Sequence, residues 1–309
     1  MLRGLGSKLT QLSYFVLSCI VLASLASAGE ALKAEDVVSK HLDSIGTAKA
    51  RADVKSRADE GTVEFRVLSG GPGGVTSGSL VILSEGHKTL FMMKLPTVEY
   101  HGERFIFDGS KTEIRGATGQ QTRSALGNFL WVQDAVLKEG LLGGVLTTSW
   151  PLLDLNERKA KLSVDGSKTI DGQQLIEMHY QPKKKSDLDI HFYFDPQTYH
   201  HVRSVYTLTV TQGLGQQGSS PMGVPPGGAP PTGPDSAETN TARQNEIRYR
   251  LEERFSDFAT VDGLTLPMHY TIQFTNEQQN GHSVLSQWDN KLSAIKHNVS
   301  PDPRNFEVK

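Results

Sequence analysis

Gly213-Leu-Gly215-Gln-Gln-Gly218 has the spacing of a dinucleotide-binding turn, in which the last glycine opens a helix whose amides hold a pyrophosphate. Here that glycine opens onto a proline-rich stretch, so the helix is missing and no nucleotide site follows. Gly70-Gly71-Pro72-Gly73-Gly74 lacks the Gly-Lys-Ser/Thr ending of a phosphate loop and reads as a flexible hairpin connection. His200-His201 follows Asp195-Pro196 in a predicted turn, with no cysteine and no third ligand at metal spacing, and is expected to be solvated. His179 and His191 fall on the polar faces of predicted strands, where exposure is the expectation. Lys183-Lys184-Lys185 suits an anionic lipid surface or, as a hairpin turn, plain water. Neither a Gly-x-Ser-x-Gly elbow nor a His-Glu-x-x-His helix is present. The chain is therefore expected to be no enzyme and to hold no cofactor and no metal.

Composition narrows the classes further. With 37% hydrophobic and 21% charged residues in 309, the chain is no disordered polymer. Its 32 basic and 34 acidic residues leave a net charge of −2, without the cationic excess that phosphate backbones attract, so nucleic acid is not an expected partner. A single cysteine, Cys19, excludes an intramolecular disulfide and every multi-cysteine metal cluster. Packing must stabilise the fold.

The N-terminus reads as an export signal. Arg3 and Lys8 precede an apolar run from Leu12 to Leu25, and Ala26-Ser27-Ala28 has the small-x-small form of a cleavage site, so residues 1–28 are expected to be removed. The rival reading, a lipoprotein signal ending at Cys19, would leave the apolar stretch Ile20 to Leu25 where a polar tether is usual. A membrane anchor needs about 20 apolar residues, and this run is shorter.

The elements that must position any site are mostly strands. Val37, Val38, Leu42 and Ile45, with Glu35 and Asp36 in the first turn and Gly46 at the stop, predict one opening helix over 33–45. The apolar period then changes from 3.6 to 2, with Val63, Phe65 and Val67 on one face. Further strands are predicted at 79–84, 88–95, 98–107 and 111–115, and, after Trp150-Pro151, at 159–168, 173–181, 187–195, 200–212, 245–258, 264–276 and 282–297. Between the two series, Leu126, Phe129, Leu130, Val136, Leu137 and Leu141 predict one long amphipathic helix over 121–142. Hairpin-length connections leave no room for parallel crossovers, so a mainly β, or α+β, antiparallel sheet is expected, and about a dozen strands should curl toward a barrel. Residues 213–242, with six prolines among Gly, Ser and Thr, are expected to form a disordered loop between two paired strands within a single domain over 29–309.

The supply of large apolar residues is high for one curled sheet covered by two helices. Phe65, Phe91, Met93, Phe105, Phe107, Phe192, Phe194, Tyr270 and Phe274 crowd its apolar face, and Phe129 and Leu130 belong to the 121–142 helix available to cover it. They form either an ordinary core or a pocket, and aromatic stripes are often core.

Several segments in order resemble a known family. They are the opening helix, the meander reaching Phe105-Ile106-Phe107-Asp108-Gly109, a helical interruption, Tyr180-Gln181-Pro182-Lys183, and Phe192-Tyr193-Phe194-Asp195-Pro196. Phe255-Ser256-Asp257-Phe258 and Val261-Asp262-Gly263-Leu264-Thr265-Leu266-Pro267 close the series. Across nearly the whole mature chain this is similar to the outer-membrane lipoprotein-sorting proteins and lipoprotein carriers of the LolA/LolB-like superfamily. The chain departs from a typical carrier in its length and in the 213–242 insertion. The resemblance implies a curved antiparallel sheet forming an open half-barrel covered by helices, whose hydrophobic concavity holds acyl chains in the periplasm of a Gram-negative bacterium, at or near the outer membrane. The eleven apolar residues named above would then line the acyl site. Implied partners are the acyl chains of lipoproteins or lipids and the inner- and outer-membrane lipoprotein transport proteins, met by a monomer. The alternative is an envelope sensor or protein-binding module on the same fold, without carrier activity.

Overall fold

The apolar pattern around Val37 and Val38 is realised in α1 (Ala34–Ile45), which buries Val37, Val38, His41 and Ile45. A second short helix, α2 (Ala48–Asp53), follows; the periodicity does not announce it, but the Thr47 side chain caps it by accepting from the Ala50 amide at 3.1 Å. The computed structural model describes residues 32–71, 73–119, 122–212, 245–278 and 281–309, nearly all in one compact unit, Lys33–Lys309. The expected export signal and the expected 213–242 loop lie outside the described residues.

Twelve strands follow the helices. The first five are β1 (Ser56–Ser69), β2 (Val75–Glu85), β3 (Lys88–Lys94), β4 (Glu103–Phe107) and β5 (Thr112–Gly116). The other seven are β6 (Lys161–Ile170), β7 (Gln173–Gln181), β8 (Asp189–Phe194), β9 (His201–Gln212), β10 (Asn245–Val261), β11 (Leu264–Gln278) and β12 (Ser283–His297). Each sits where the period-2 pattern predicts a strand, although β4 is shorter than 98–107. All pair antiparallel in one sheet of order β5-β4-β3-β2-β1-β12-β11-β10-β9-β8-β7-β6. The mainly β, open antiparallel architecture expected from the sequence is thus observed, with β5 and β6 as unpaired edges.

The strand order carries a topological consequence. Strands β5 and β6 are consecutive in the chain yet lie at opposite edges of the sheet, so residues 117–160 must cross its full width. They do so over the apolar face. The long helix expected over 121–142 is instead two short ones, α3 (Ala125–Val132) and α4 (Ala135–Lys138), followed by single 3-10 turns at Gly144–Leu146 and Pro151–Leu153 and by α5 (Leu155–Arg158). The helix breaks at Gln133, whose backbone leaves the helical region, and Gly140, Gly143 and Gly144 all have positive φ. The segment keeps a solvent side at Trp131 and Lys138, and the positive-φ glycines let it turn so that Leu126, Phe129, Leu130, Val136, Leu137 and Leu141 still face the sheet.

Two adjacent glycines of this crossing segment measure the curvature. A Cβ at Gly143 would meet Phe91 Cζ on β3 at 2.5 Å, and one at Gly144 would meet His201 Nδ1 on β9 at 3.1 Å. Strands β3 and β9 are six steps apart, about 29 Å in a flat sheet, so the sheet must wrap around the segment. A bulge at Glu60/Gly61 in β1 adds to the bend. The concave face and the crossing segment share one hydrophobic core, while on the back of the sheet the terminal turn Pro303–Phe306 covers Leu90 and Ile106 with Phe306.

Candidate functional site

The concave face gathers the residues that the sequence singles out. Phe91 and Met93 on β3, Phe105 and Phe107 on β4, Phe192 and Phe194 on β8, and Tyr270 and Phe274 on β11 are all buried in the same cluster, with half-buried Phe65 packed on its margin. Phe129 and Leu130, on α3, are fully buried against them from the other side. Phe129 meets Phe274 at 5.2 Å between ring centroids, and Trp150 meets Phe192 at 4.9 Å. The crossing segment, called the plug below, occupies the space between the walls of the sheet.

The plug is tied to the floor by buried carboxylates. Glu103, on β4, accepts hydrogen bonds from the Ser124 amide at 2.8 Å and hydroxyl at 2.5 Å, and Ser124 in turn caps α3 through the Gly127 amide. This places an acid at the helix N-terminus, where the backbone dipole favours it. Glu253, on β10, accepts from the Gly143 amide at 2.7 Å, from Tyr206 at 2.7 Å and from Tyr270. Tyr206 Oη also lies 3.2 Å from the Leu141 carbonyl. Farther along, Tyr180 donates to Glu139 at 3.0 Å, and Arg158 donates to the carbonyls of Glu139 and Ser149. Arg57, on β1, donates to the Val145 carbonyl.

Burial decides the protonation of these groups. It raises the Glu103 carboxyl and pushes Glu253 up to about 7, against the lowering effect of its three donors. Asp59, beside Arg57 on the same face, is wholly buried, and neither of its oxygens accepts a hydrogen bond from a described residue. Desolvation drives it to about 8, only partly opposed by the Arg57 charge. His41 is held at about 4 by burial; its Nδ1 lies 3.0 Å from the Tyr199 carbonyl and its Nε2 accepts from Trp150 Nε1 at 3.2 Å, so the neutral ring is the form that fits.

One sequence expectation is corrected here. His201 is not solvated but fully buried on β9, stacked on Trp150 at 4.7 Å and close to Phe255 at 4.8 Å. The crossing segment covers the strand end that the local sequence marks as a turn. Burial holds its ring well below the usual imidazole range.

Sequence reasoning missed the carboxylates, yet a signal for them exists. Glu253 interrupts the apolar face Tyr249, Leu251, Phe255, and Glu103 precedes Phe105 and Phe107 in phase; an acid at an apolar register position requires a buried partner. Beside the plug, a small cleft is lined by Ile45, Arg51, Arg57, Val145, Trp150 and Leu264, apolar walls with two guanidinium groups. No helix among the described residues is long and apolar enough to cross a membrane.

Comparison with protein-family models and with curated proteins finds no match. Among solved structures, the chain is similar to a LolA superfamily protein from Nitrosomonas europaea, at 12% identity over 90% of this chain and 99% of that one, with a TM-score of 0.45. It is similar to a putative outer membrane lipoprotein-sorting protein domain from Vibrio parahaemolyticus, at 9% identity over 88% and 96%, with a TM-score of 0.41. A DUF1329 family protein from Desulfovibrio piger matches at 11% identity over 88% and 96%, with a TM-score of 0.37. These are remote likenesses, and the function proposed below stands on the chain's own geometry.

Proposed function

We propose that the protein is an exported, periplasmic binder or carrier of acyl chains, which enter the concavity when the 123–158 plug withdraws. The observation that supports this reading most is the polar seam between plug and floor. A plain core needs no buried acids, since apolar side chains of similar volume stabilise at least as well. Here Glu103, Glu253 and Arg57 hold the plug by its backbone and caps, hydrogen bonds that water can take over when the segment moves out.

The floor left behind would be a continuous aromatic surface. Each methylene of a bound chain that it shields from water is worth about 0.8 kcal/mol, so a long acyl chain can offset the packing that the plug gives up. The cleft lined by Arg51 and Arg57 would suit an anionic headgroup at the mouth. No bond is made or broken in this cycle. Mass spectrometry of lipid co-purifying with the protein from the periplasm tests the proposal: bound acyl species are expected, at stoichiometry rising with added lipid. A protein free of lipid that takes up no acyl probe would remove the carrier reading and leave the protein-binding envelope module.

A further inference from the structure

The back of the β7–β8 hairpin carries a group of ligands that the acyl-binding reading does not use. His179 and His191 are directly opposite each other in the antiparallel register, with imidazoles stacked at 5.1 Å and 16°. Asp189 lies two residues before His191, on the same face. Its Oδ1 is 3.0 Å from His191 Nε2 and 3.5 Å from His179 Nε2. One ligand atom from each of the three residues falls within 4.8 Å of the others. Around a tetrahedral zinc ion with bonds near 2.0–2.1 Å, adjacent ligand atoms stand about 3.3 Å apart. The two measured edges bracket that spacing; the stacked ring planes, 16° apart, must turn toward each other for both lone pairs to converge on one ion.

The surroundings are those of a metal-bound imidazole. A ligating histidine commonly donates its second ring N–H to a carboxylate, which fixes its tautomer and orientation. His191 Nδ1 is buried, makes no hydrogen bond among the described residues, and faces Glu177 Oε1 at 3.3 Å and Asp165 Oδ2 at 3.6 Å. Glu177 is itself held in place by Tyr193 Oη at 2.6 Å and Lys168 Nζ at 2.9 Å. The acid behind the ring is therefore already positioned, and Nε2, at hydrogen-bond distance from Asp189 Oδ1, is the atom that an ion would take. Asp189 is 58% exposed, so a fourth position opens to solvent.

We propose that His179 Nε2, His191 Nε2 and Asp189 Oδ1 bind one divalent transition-metal ion of the zinc or copper type, with Glu177 as the orienting carboxylate behind His191. Two imidazoles with a single carboxylate select such ions over magnesium or calcium, which demand oxygen ligands. Bound there, the ion would clamp β7 to β8 next to the sheet edge β6.

The test uses the full mature chain, tag-free and stripped with a chelator, titrated with ZnCl2 in a calorimeter against a chromophoric competitor. Binding of one ion per chain at micromolar Kd or tighter is expected, with a rise in Tm and no response to MgCl2. His179→Gln should abolish the site, Asp189→Asn should weaken it at least about 10-fold, and Glu177→Gln about 10- to 100-fold. Should His179→Gln fail to fold, Asp189→Asn carries the comparison, because its side chain stands in solvent. Absence of binding at about 100 µM zinc, or undiminished binding in the variants that fold, would overturn the assignment and leave the three residues as a hydrogen-bonded surface group.

Discussion

Phe129 and Phe274 provide a matched pair for testing the plug. They touch at 5.2 Å across the plug–floor boundary, and at most 2% of either is exposed. Truncating either ring to alanine removes the same contact and leaves a cavity of similar size, at a cost of about 3–5 kcal/mol to the closed state. In the withdrawn state Phe129 would stand in solvent, so F129A leaves that state untouched and shifts the equilibrium toward it. A change of about 3 kcal/mol corresponds to about 10²-fold in the open fraction, and the apparent affinity for an acyl probe improves by the same factor while the open state remains the minor one. F274A shifts the same equilibrium but also removes apolar floor that the chain would contact, worth about 1.5–3 kcal/mol. The two variants should lose similar stability in urea unfolding, while F129A binds a fluorescent fatty acid about 10- to 100-fold more tightly than F274A and more tightly than the wild type. Equal affinities, or weaker uptake by F129A, would show that the segment is part of a fixed core and refute withdrawal.

Gly143→Ala should act in the same direction as F129A: its Cβ would meet Phe91, and its φ of +81° disfavours any side chain, so a loss of about 1–3 kcal/mol in thermal unfolding is expected together with faster probe uptake. Stability should fall as pH rises from 6.5 to 8, because the folded carboxyls of Glu253, near 7, and Asp59, near 8, hold protons that the unfolded chain has already released. The slope is at most about 1.4 kcal/mol per pH unit per group, so Tm measured across this range should flatten in D59N; an unchanged slope would mean that Asp59 is ionised in the fold. Below pH 6.5 the sign of the His41 contribution is opposite: the unfolded imidazole takes a proton that the buried ring, near 4, refuses, so this contribution disappears as pH falls from 6.5 to 4 and H41Q should lessen the loss. Finally, β9 and β10 remain paired as far as Gln212 opposite Asn245, so replacing residues 213–242 by a short Gly/Ser linker should leave Tm within a few degrees, since loop-closure entropy grows slowly with length.

Strand identity was legible in the sequence because it is a local property. Val63, Phe65 and Val67, or Leu188, Ile190, Phe192 and Phe194, alternate with polar residues whatever their neighbours, and twelve such runs joined by hairpin turns already imply an antiparallel sheet. The nine apolar residues expected on the concave side of the sheet were legible for the same reason, and Phe129 and Leu130 from their helical spacing. What alternation does not contain is strand order. Placing β1 beside β12 sends β5 and β6 to opposite edges, and this long-range pairing forces residues 117–160 across the concavity. The breaking of the expected 121–142 helix, the burial of His201 and the capture of Glu253 by Gly143 all follow from that crossing. The His179–His191 pair is hidden in the same way, because residues twelve apart become neighbours only through the β7–β8 register. Local pattern determines which face of each strand is apolar; only tertiary pairing decides what that face meets, because contact between distant segments depends on how the whole sheet closes its two ends.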